Sequence, residues 1–276
     1  MNVRTAIRTA ATRLCDAGIT EYENDAWLLF SELTGMSRSD YLIGSNEELD
    51  LDTIAKYNAM IERRAQREPL QYITGKAYFM GFEFVVNNSV LIPRFDTEVL
   101  VEEVLKAATS TTKLLDMCTG SGCIGLSVAA IKHCDVDLAD ISPAALKVAE
   151  DNRKRLGLNN IKIIDSDMFS NIDETYDIIV SNPPYIPTGD IDSLEPEVRN
   201  SEPVSALDGS KDGLKFYRIL ANKGAKYLKC GGSIFLEIGY NQAEDVKSLL
   251  ENNKFADVSV IKDLAGLDRV VCGRRM

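Results

Sequence analysis

Apolar positions recur at helical spacing from the first residues onward. Val3, Ile7, Leu14 and Ile19 form one stripe, Ala26-Trp27-Leu28-Leu29-Phe30 begins a second, and residues 54–67 carry a third, with Gly18, Gly35, Gly44 and Pro69 as punctuation. This spacing predicts a small helical domain over residues 1–75. No nucleophile or metal-ligand pattern falls inside it, so its expected task is substrate recognition. The period then changes. Residues 78–86 are aromatic and β-branched, Asn87-Asn88 has turn chemistry, and Val90-Leu91-Ile92 resumes the apolar run, which predicts a β-hairpin linker across 76–95 that turns at the asparagines. Pro93 closes it, and a helix through Leu105 begins at Thr97 and Glu98.

Residues 96–276 alternate between short apolar runs and amphipathic ones. Strands are predicted at 113–117, 136–139, 161–164, 176–181, 233–238, 258–260 and 269–272, and helices at 123–132, 143–156, 213–228 and 241–251. Such alternation implies an α/β, Rossmann-like domain with a mostly parallel sheet covered on both faces. Ligands of these sheets sit outside the carboxyl ends of the strands, near the topological switch point. Three chemically suggestive segments fall at predicted strand ends: 116–122, 140 and 181–185.

Composition narrows the function. The chain has 276 residues, 45% apolar and 26% charged, as a folded globular protein does. Forty-two acids against thirty-one bases leave −11 at neutral pH, without the basic surplus that general nucleic-acid binding needs. Lys56, Arg63, Arg64 and Arg67 cluster, and are read as a solvated helix face. The longest nearly apolar stretch, 124–131, is far shorter than the roughly 18–20 residues of a spanning helix. No secretory pattern follows Met1, so a cytoplasmic protein without a membrane partner is expected. Six cysteines without a CxxC pair and a single histidine, His133, predict reduced thiols and no metal site.

The chemistry is carried by three segments. In Asp116-Met117-Cys118-Thr119-Gly120-Ser121-Gly122 two glycines at a strand-to-helix turn let the backbone approach a ligand, beside the free N–H groups of a helix start. The spacing is neither the dinucleotide fingerprint nor a P-loop. Asp140 ends the next strand about twenty residues later, where an acid accepts ribose hydroxyls, although it could equally cap the helix at Pro143. Asn182-Pro183-Pro184-Tyr185 follows the strand 176–181. Its prolines stiffen an extended backbone and remove two N–H donors. The Pro183 carbonyl and the Asn182 side-chain carbonyl are then free acceptors for a planar NH2 group, and Tyr185 is placed to lie over its flat face.

Together these segments carry the signature of S-adenosylmethionine-dependent methyltransferases that modify an amide or exocyclic amine nitrogen. The likeness extends through 68–75, 91–94, Ser181 to Ile186, 236–239 and 266–271, and over this length the chain resembles the peptide chain release factor glutamine methyltransferase family, the PrmC/HemK type. That resemblance implies a class I methyltransferase sheet behind a helical recognition domain. It also implies methylation of the glutamine side-chain amide nitrogen, N5, in the Gly-Gly-Gln motif of class I release factors, in translation termination. By position, Cys118, Thr119, Gly120, Ser121 and Gly122 line the methionine part of the cofactor, with Asn182 at the same end. Asp140 holds the ribose, and Met168 matches the adenine side with Asp167 beside it. Asn182, Pro183, Pro184 and Tyr185 hold the substrate glutamine, and Asn182, Pro183 and Tyr185 act in catalysis. The implied partner is the Gly-Gly-Gln domain of a release factor, met by a monomer with no direct nucleic-acid contact. Three positions depart from the family pattern: Cys118 stands for a glycine, Phe95-Asp96 for Pro-Glu, and Met168 for an aromatic.

A nucleic-acid N-methyltransferase is the competing enzyme reading, because base amines offer the same NH2 geometry; the acid excess argues against it. A binding module that keeps the cofactor without turnover is a second, opposed by the intact Asn182 and Tyr185. The polar stretch 187–212, with Glu195, Glu197, Arg199 and Glu202, reads as a surface loop or a lid over the glutamine.

Overall fold

A computed structural model describes residues 1–276, which divide into two compact units: Met1–Gly75 with Glu195–Ser201, and Lys76–Leu194 with Glu202–Met276. The first unit contains α1 (Val3–Asp16), α2 (Tyr22–Thr34), α3 (Arg38–Gly44), α4 (Leu51–Ala65) and α5 (Leu70–Thr74). Side chains close the starts of α1, α3 and α4. Asn2 accepts from the Thr5 N–H, Asp50 from that of Thr53, and Ser37 and Asp40 bond each other's backbone reciprocally. Leu14, Leu29, Phe30 and Tyr57 fill the core, where the Tyr57 hydroxyl donates to the Ala26 carbonyl at 2.8 Å.

One basic residue departs from the solvated face expected of its cluster. Arg64 is only 6% exposed; its Nε lies 2.7 Å from Asp25, itself buried, and its Nη2 lies 3.0 Å from Glu197. The helical period of α4 turns position 64 inward, onto the face that also buries Tyr57 and Ile61. Arg63 remains outside, paired with Glu68.

The second unit begins with a hairpin of β1 (Lys76–Phe79) and β2 (Phe82–Val85). Its turn is Met80-Gly81, both at positive φ, rather than Asn87-Asn88, and residues 90–92 form no strand. Paired positive φ angles match the right-handed twist of a two-residue hairpin. The asparagine segment instead makes a side-chain turn, with Asn87 Oδ1 accepting from Ser89 N at 2.9 Å. Phe79 and Phe84 pack into the core of this unit, and Asn152 bonds both backbone groups of Val85.

The chain continues through α6 (Glu98–Ala107), β3 (Lys113–Met117), α7 (Cys123–Lys132), β4 (Asp135–Asp140), α8 (Pro143–Arg155), β5 (Ile161–Asp165) and β6 (Tyr176–Ser181). After α9 (Pro196–Ser201), which belongs to the first unit, come α10 (Lys215–Tyr227), β7 (Leu228–Glu237), α11 (Ala243–Glu251), β8 (Phe255–Lys262) and β9 (Asp268–Arg275). The seven strands lie in the order β5-β4-β3-β6-β7-β9-β8. The first five are parallel, and β9 runs antiparallel to both its neighbours. The chain leaves β3 toward β5 on one side and resumes at β6 on the other, so the switch point lies between β3 and β6.

Both sheet faces are buried, which is why these strands read as unbroken apolar runs. Alternate residues serve alternate layers: Leu114, Val180 and Phe235 pack with α6 and α7, whereas Leu115, Ile179 and Leu236 pack with α10 and α11. No helix is long and apolar enough to cross a membrane.

Arg64→Ala leaves the Asp25 carboxylate buried without its partner. The expected cost is about 3–5 kcal/mol, read as a lowered thermal transition of the helical unit. Replacing Arg64 and Asp25 together by Met and Leu is expected to recover most of it.

Candidate active site

The register of the parallel strands brings three carboxyl ends to one level. Met117 on β3 pairs with Ala139 on β4 and with Ser181 on β6, so the segments after residues 117, 139 and 181 emerge side by side. A cavity of about 380 Å³ opens there. Cys118, Thr119, Gly120 and Ser121 line it from the turn after β3, Asp140 from the end of β4, and Asp167 and Met168 from the segment after β5. Asn182 and Pro184 line it from the segment after β6. Gly122, Pro183 and Tyr185 are not among its lining residues.

The turn after β3 is held by two carboxylates. Asp140 accepts from Gly120 N and from Ser142 N, each at 2.9 Å, tying the turn to the start of α8. Burial pushes its carboxyl above the ordinary value, and these N–H donors pull it back. Asp116 is fully buried beneath the turn, and its Oδ2 accepts from the Thr119 hydroxyl at 2.6 Å and from Gly125 N at 2.9 Å. Its Oδ1 has no partner, and burial pushes the carboxyl up to about 7. Gly120 takes φ +55°, and a Cβ there would meet no atom within 4 Å, so the backbone borders open cavity. Gly122 takes φ +81°, and a Cβ there would stand 2.8 Å from Leu126.

Cys118 explains its own departure from glycine only in part. It holds φ +61°, a strained region for a side chain, and its sulfur lies 3.8 Å from the Met168 sulfur, where Met168 is also left-handed at φ +49°. Burial drives the Cys118 thiol far above its ordinary value, so it is a neutral wall group.

At the end of β6 the Ser181 hydroxyl donates to the Met117 carbonyl at 2.6 Å and locks β6 to β3. Asn182 Nδ2 lies 3.4 Å from Thr97 Oγ1, at the start of α6. No backbone N–H donates to the Pro183 carbonyl. Tyr185 packs against the core on the α10 side, and its carbonyl accepts from Gln242 Nε2 at 3.0 Å. The segment 187–212 is ordered by short helical turns. Ile186 N donates to the Leu207 carbonyl and Gly209 N to that of Ile186. Glu202 is buried against Arg94 at 2.6 Å, and residues 203–206 line the cavity.

Several residues outside the three motifs also shape the site. Thr97 and Glu237 sit beside Asn182. Arg269 links Asp96 at 3.3 Å to Asp263 at 3.0 Å, which gives the unusual Asp96 a partner. Only the strand register reveals this relation: Ser181 pairs with Leu236, so Asn182 and Glu237 follow on neighbouring strands.

Comparison with known proteins adds the family. Residues 5–75 match the family model described as PrmC N-terminal domain, and residues 94–194 match that of the Methyltransferase small domain. The chain is 41% identical over 263 residues to the release factor glutamine methyltransferase of Geobacter sulfurreducens, covering 95% of this chain and 92% of that protein. The chain belongs to the release factor glutamine methyltransferase family. Members of this family from Clostridium acetobutylicum (39% identity, 100% of this chain and 99% of that one) and Caulobacter vibrioides (42%, 96% and 93%) are similar over nearly their whole length. Solved structures share the fold. A methyltransferase from Pyrococcus furiosus aligns with TM-score 0.58 at 17% identity, over 78% of this chain and 98% of that one. The T. Thermophilus 16S rRNA N2 G1207 methyltransferase, in complex with AdoMet and guanosine, aligns with TM-score 0.52 at 18% identity, over 73% and 50%. Like other members of this family, the chain is an S-adenosylmethionine-dependent methyltransferase.

The buried Asp116 makes stability depend on pH. Between its ordinary value near 4 and about 7 the folded protein binds a proton that the unfolded chain has released, so stability falls as pH rises through that window. Glu237, also pushed up to about 7 by burial, acts in the same direction. Between pH 5 and 7.5 the melting temperature of Asp116→Asn is expected to fall less than that of the wild type, by more than about 3 °C. Parallel curves would contradict the burial of a protonated Asp116.

Proposed function

We propose that this chain methylates the side-chain amide nitrogen, N5, of the glutamine in the Gly-Gly-Gln motif of class I peptide chain release factors, in the cytoplasm. The observation that carries the reading is the convergence of Asn182-Pro183-Pro184-Tyr185 with the 118–122 turn and Asp140 at one end of one sheet, in a chain of this family. Release factor is the partner, met by a monomer without direct nucleic-acid contact.

The cavity suits S-adenosylmethionine. Its volume lies in the range of small-molecule sites, Gly120 leaves room where a side chain would stand, and Asp140 offers a carboxylate to ribose hydroxyls. Cys118, Thr119, Gly120, Ser121 and Gly122 would hold the methionine portion, Asp140 the ribose and Met168 the adenine, with Asn182 at the methyl end. The cofactor supplies an electrophilic methyl group on a positively charged sulfur.

An amide nitrogen is a weak nucleophile because its lone pair is shared with the carbonyl. The chain's contribution is to place it. Asn182 Oδ1 and the Pro183 carbonyl each accept one N–H of the glutamine amide, which fixes the plane of the group. Pro183 and Pro184 are buried and keep these acceptors from swinging away. Tyr185 flanks the pair, its hydroxyl kept protonated by burial. The two carbonyl dipoles also face the positive charge that develops on nitrogen. Such positioning supplies up to roughly 7–11 kcal/mol. No base is required beforehand, since the methylated amide loses its extra proton readily.

Mass spectrometry of release factor after incubation with enzyme and S-adenosylmethionine is expected to show 14 mass units, about one methyl group, added to the Gly-Gly-Gln peptide; an unmodified peptide would contradict the reading. Asn182→Ala is expected to lower kcat about 10²–10³-fold, and near-normal turnover would remove Asn182 from the mechanism. Asp140→Ala is expected to weaken S-adenosylmethionine binding about 10–100-fold by calorimetry.

A further inference from the structure

We propose that Glu237 is a positioning residue for the methyl transfer: with Thr97 it sets which way the Asn182 amide faces, so that Oδ1, not Nδ2, meets the acceptor. This inference rests on the reading of Asn182 given above.

The geometry follows from the sheet. Ser181 and Leu236 are partners on parallel β6 and β7, so Asn182 and Glu237 leave the two strands side by side. Side chains alternate along a strand, and Asn182 shares the parity of Val180, as Glu237 shares that of Phe235. Both therefore point to the layer that holds α6 and α7, where Thr97, 2% exposed, begins α6. Asn182 Nδ2 lies 3.4 Å from Thr97 Oγ1, and the Glu237 carboxylate faces both the Thr97 hydroxyl and the Asn182 side chain, each of which favours its charged form. Glu237 is itself 2% exposed, its Oε2 is buried without a hydrogen-bond partner, and its backbone is pinned by the Tyr217 hydroxyl at 2.8 Å.

An asparagine amide is nearly symmetric in shape, and its two ends are told apart only by the groups around them. A carboxylate accepts and does not donate. Its presence behind Asn182, beside the Thr97 hydroxyl that accepts from Nδ2, turns the NH2 end inward. The carbonyl end is left toward the cavity. A neutral carboxylic acid at position 237 donates as well as accepts, and the preference weakens.

The groups facing Glu237 leave it as the one that titrates near neutrality in its own surroundings. Arg269 from β9 stays cationic, and Asp96 contributes repulsion from the turn before α6. Tyr185 after β6 and Tyr217 on α10 are pushed upward by burial, and Cys123 at the start of α7 is pushed up to about 12. Burial likewise pushes Glu237 up to about 7. Asp116 rises to a similar value but lies beneath the cofactor turn.

The test is a pH profile of steady-state methyl transfer to intact release factor. Wild-type kcat is expected to rise through about pH 7 and level off. Glu237→Gln is expected to lower the plateau roughly 10–100-fold, leave KM for release factor and the Kd for S-adenosylmethionine within about twofold, and abolish the rise. Asp116→Asn is expected to keep it. Thr97→Val is expected to lower kcat, and Thr97→Ser to restore it. In an Asn182→Ala background, Glu237→Gln is expected to add nothing. If Glu237→Gln melts like the wild type and turns over at its rate, or if its effect adds fully to that of Asn182→Ala, the inference is overturned. If Glu237→Gln unfolds, the Thr97 pair decides: Thr97→Val at the wild-type rate overturns it too. Normal turnover by Asn182→Ala alone would instead overturn the reading on which this one stands.

Discussion

Parallel pairing of β3 with both β4 and β6 is the constraint on which the site depends. It places residues 117, 139 and 181 at one level, so the turn after β3, the Asp140 carboxylate and the segment 182–185 meet at one opening. A one-residue slip would turn every side chain of a strand to the opposite layer. Ser181, which donates from β6 to the Met117 carbonyl, and Asp140, which holds Gly120 from β4, keep the three ends in step. The proline pair then carries this alignment beyond the strand, where no sheet hydrogen bond would hold the backbone.

The site is electrostatically costly, and the cost lies in its carboxylates. Asp116, Glu202 and Glu237 each keep one buried oxygen without a partner. Elsewhere in a fold such groups are destabilising. Here each supports a piece of backbone or a side chain at the cavity: Asp116 the turn after β3, Glu202 the Arg94 wall, Glu237 the neighbourhood of Asn182. Cys118 and Met168 add backbone strain at the same end of the sheet, paired through their sulfurs. Other left-handed residues, such as Met80 at the hairpin turn and His133 at the end of α7, sit at turns and helix ends, where local geometry accounts for them.

Much of this was readable from the chain alone. Strand and helix positions in the second unit follow from apolar runs buried on both faces, and the observed limits differ from the expected ones mostly at the ends. The helical character of residues 1–75 follows in the same way. What escaped were features decided by tertiary contact. The hairpin turns at Met80-Gly81 because the core takes Phe79 and Phe84, whereas Asn87-Asn88 only resembles a hairpin turn. Arg64 looked solvated, like Arg63, until helix packing turned it onto Asp25. The antiparallel setting of β9 has no local signature. Among the candidate site residues, Asn182, Asp140 and the glycine turn stand out by type and spacing, and the structure brings them to one cavity. Thr97 and Glu237 do not, because their relation to Asn182 exists only once β6 and β7 are in register.

In the proposed mechanism Asn182 Oδ1 and the Pro183 carbonyl together grip the NH2 group of a glutamine side chain. The most direct test is a crystal structure of the enzyme with a release factor Gly-Gly-Gln fragment and S-adenosylhomocysteine. The glutamine amide nitrogen is expected within about 2.7–3.2 Å of both oxygens. A glutamine bound through its oxygen, or lying away from residues 182 and 183, would contradict it.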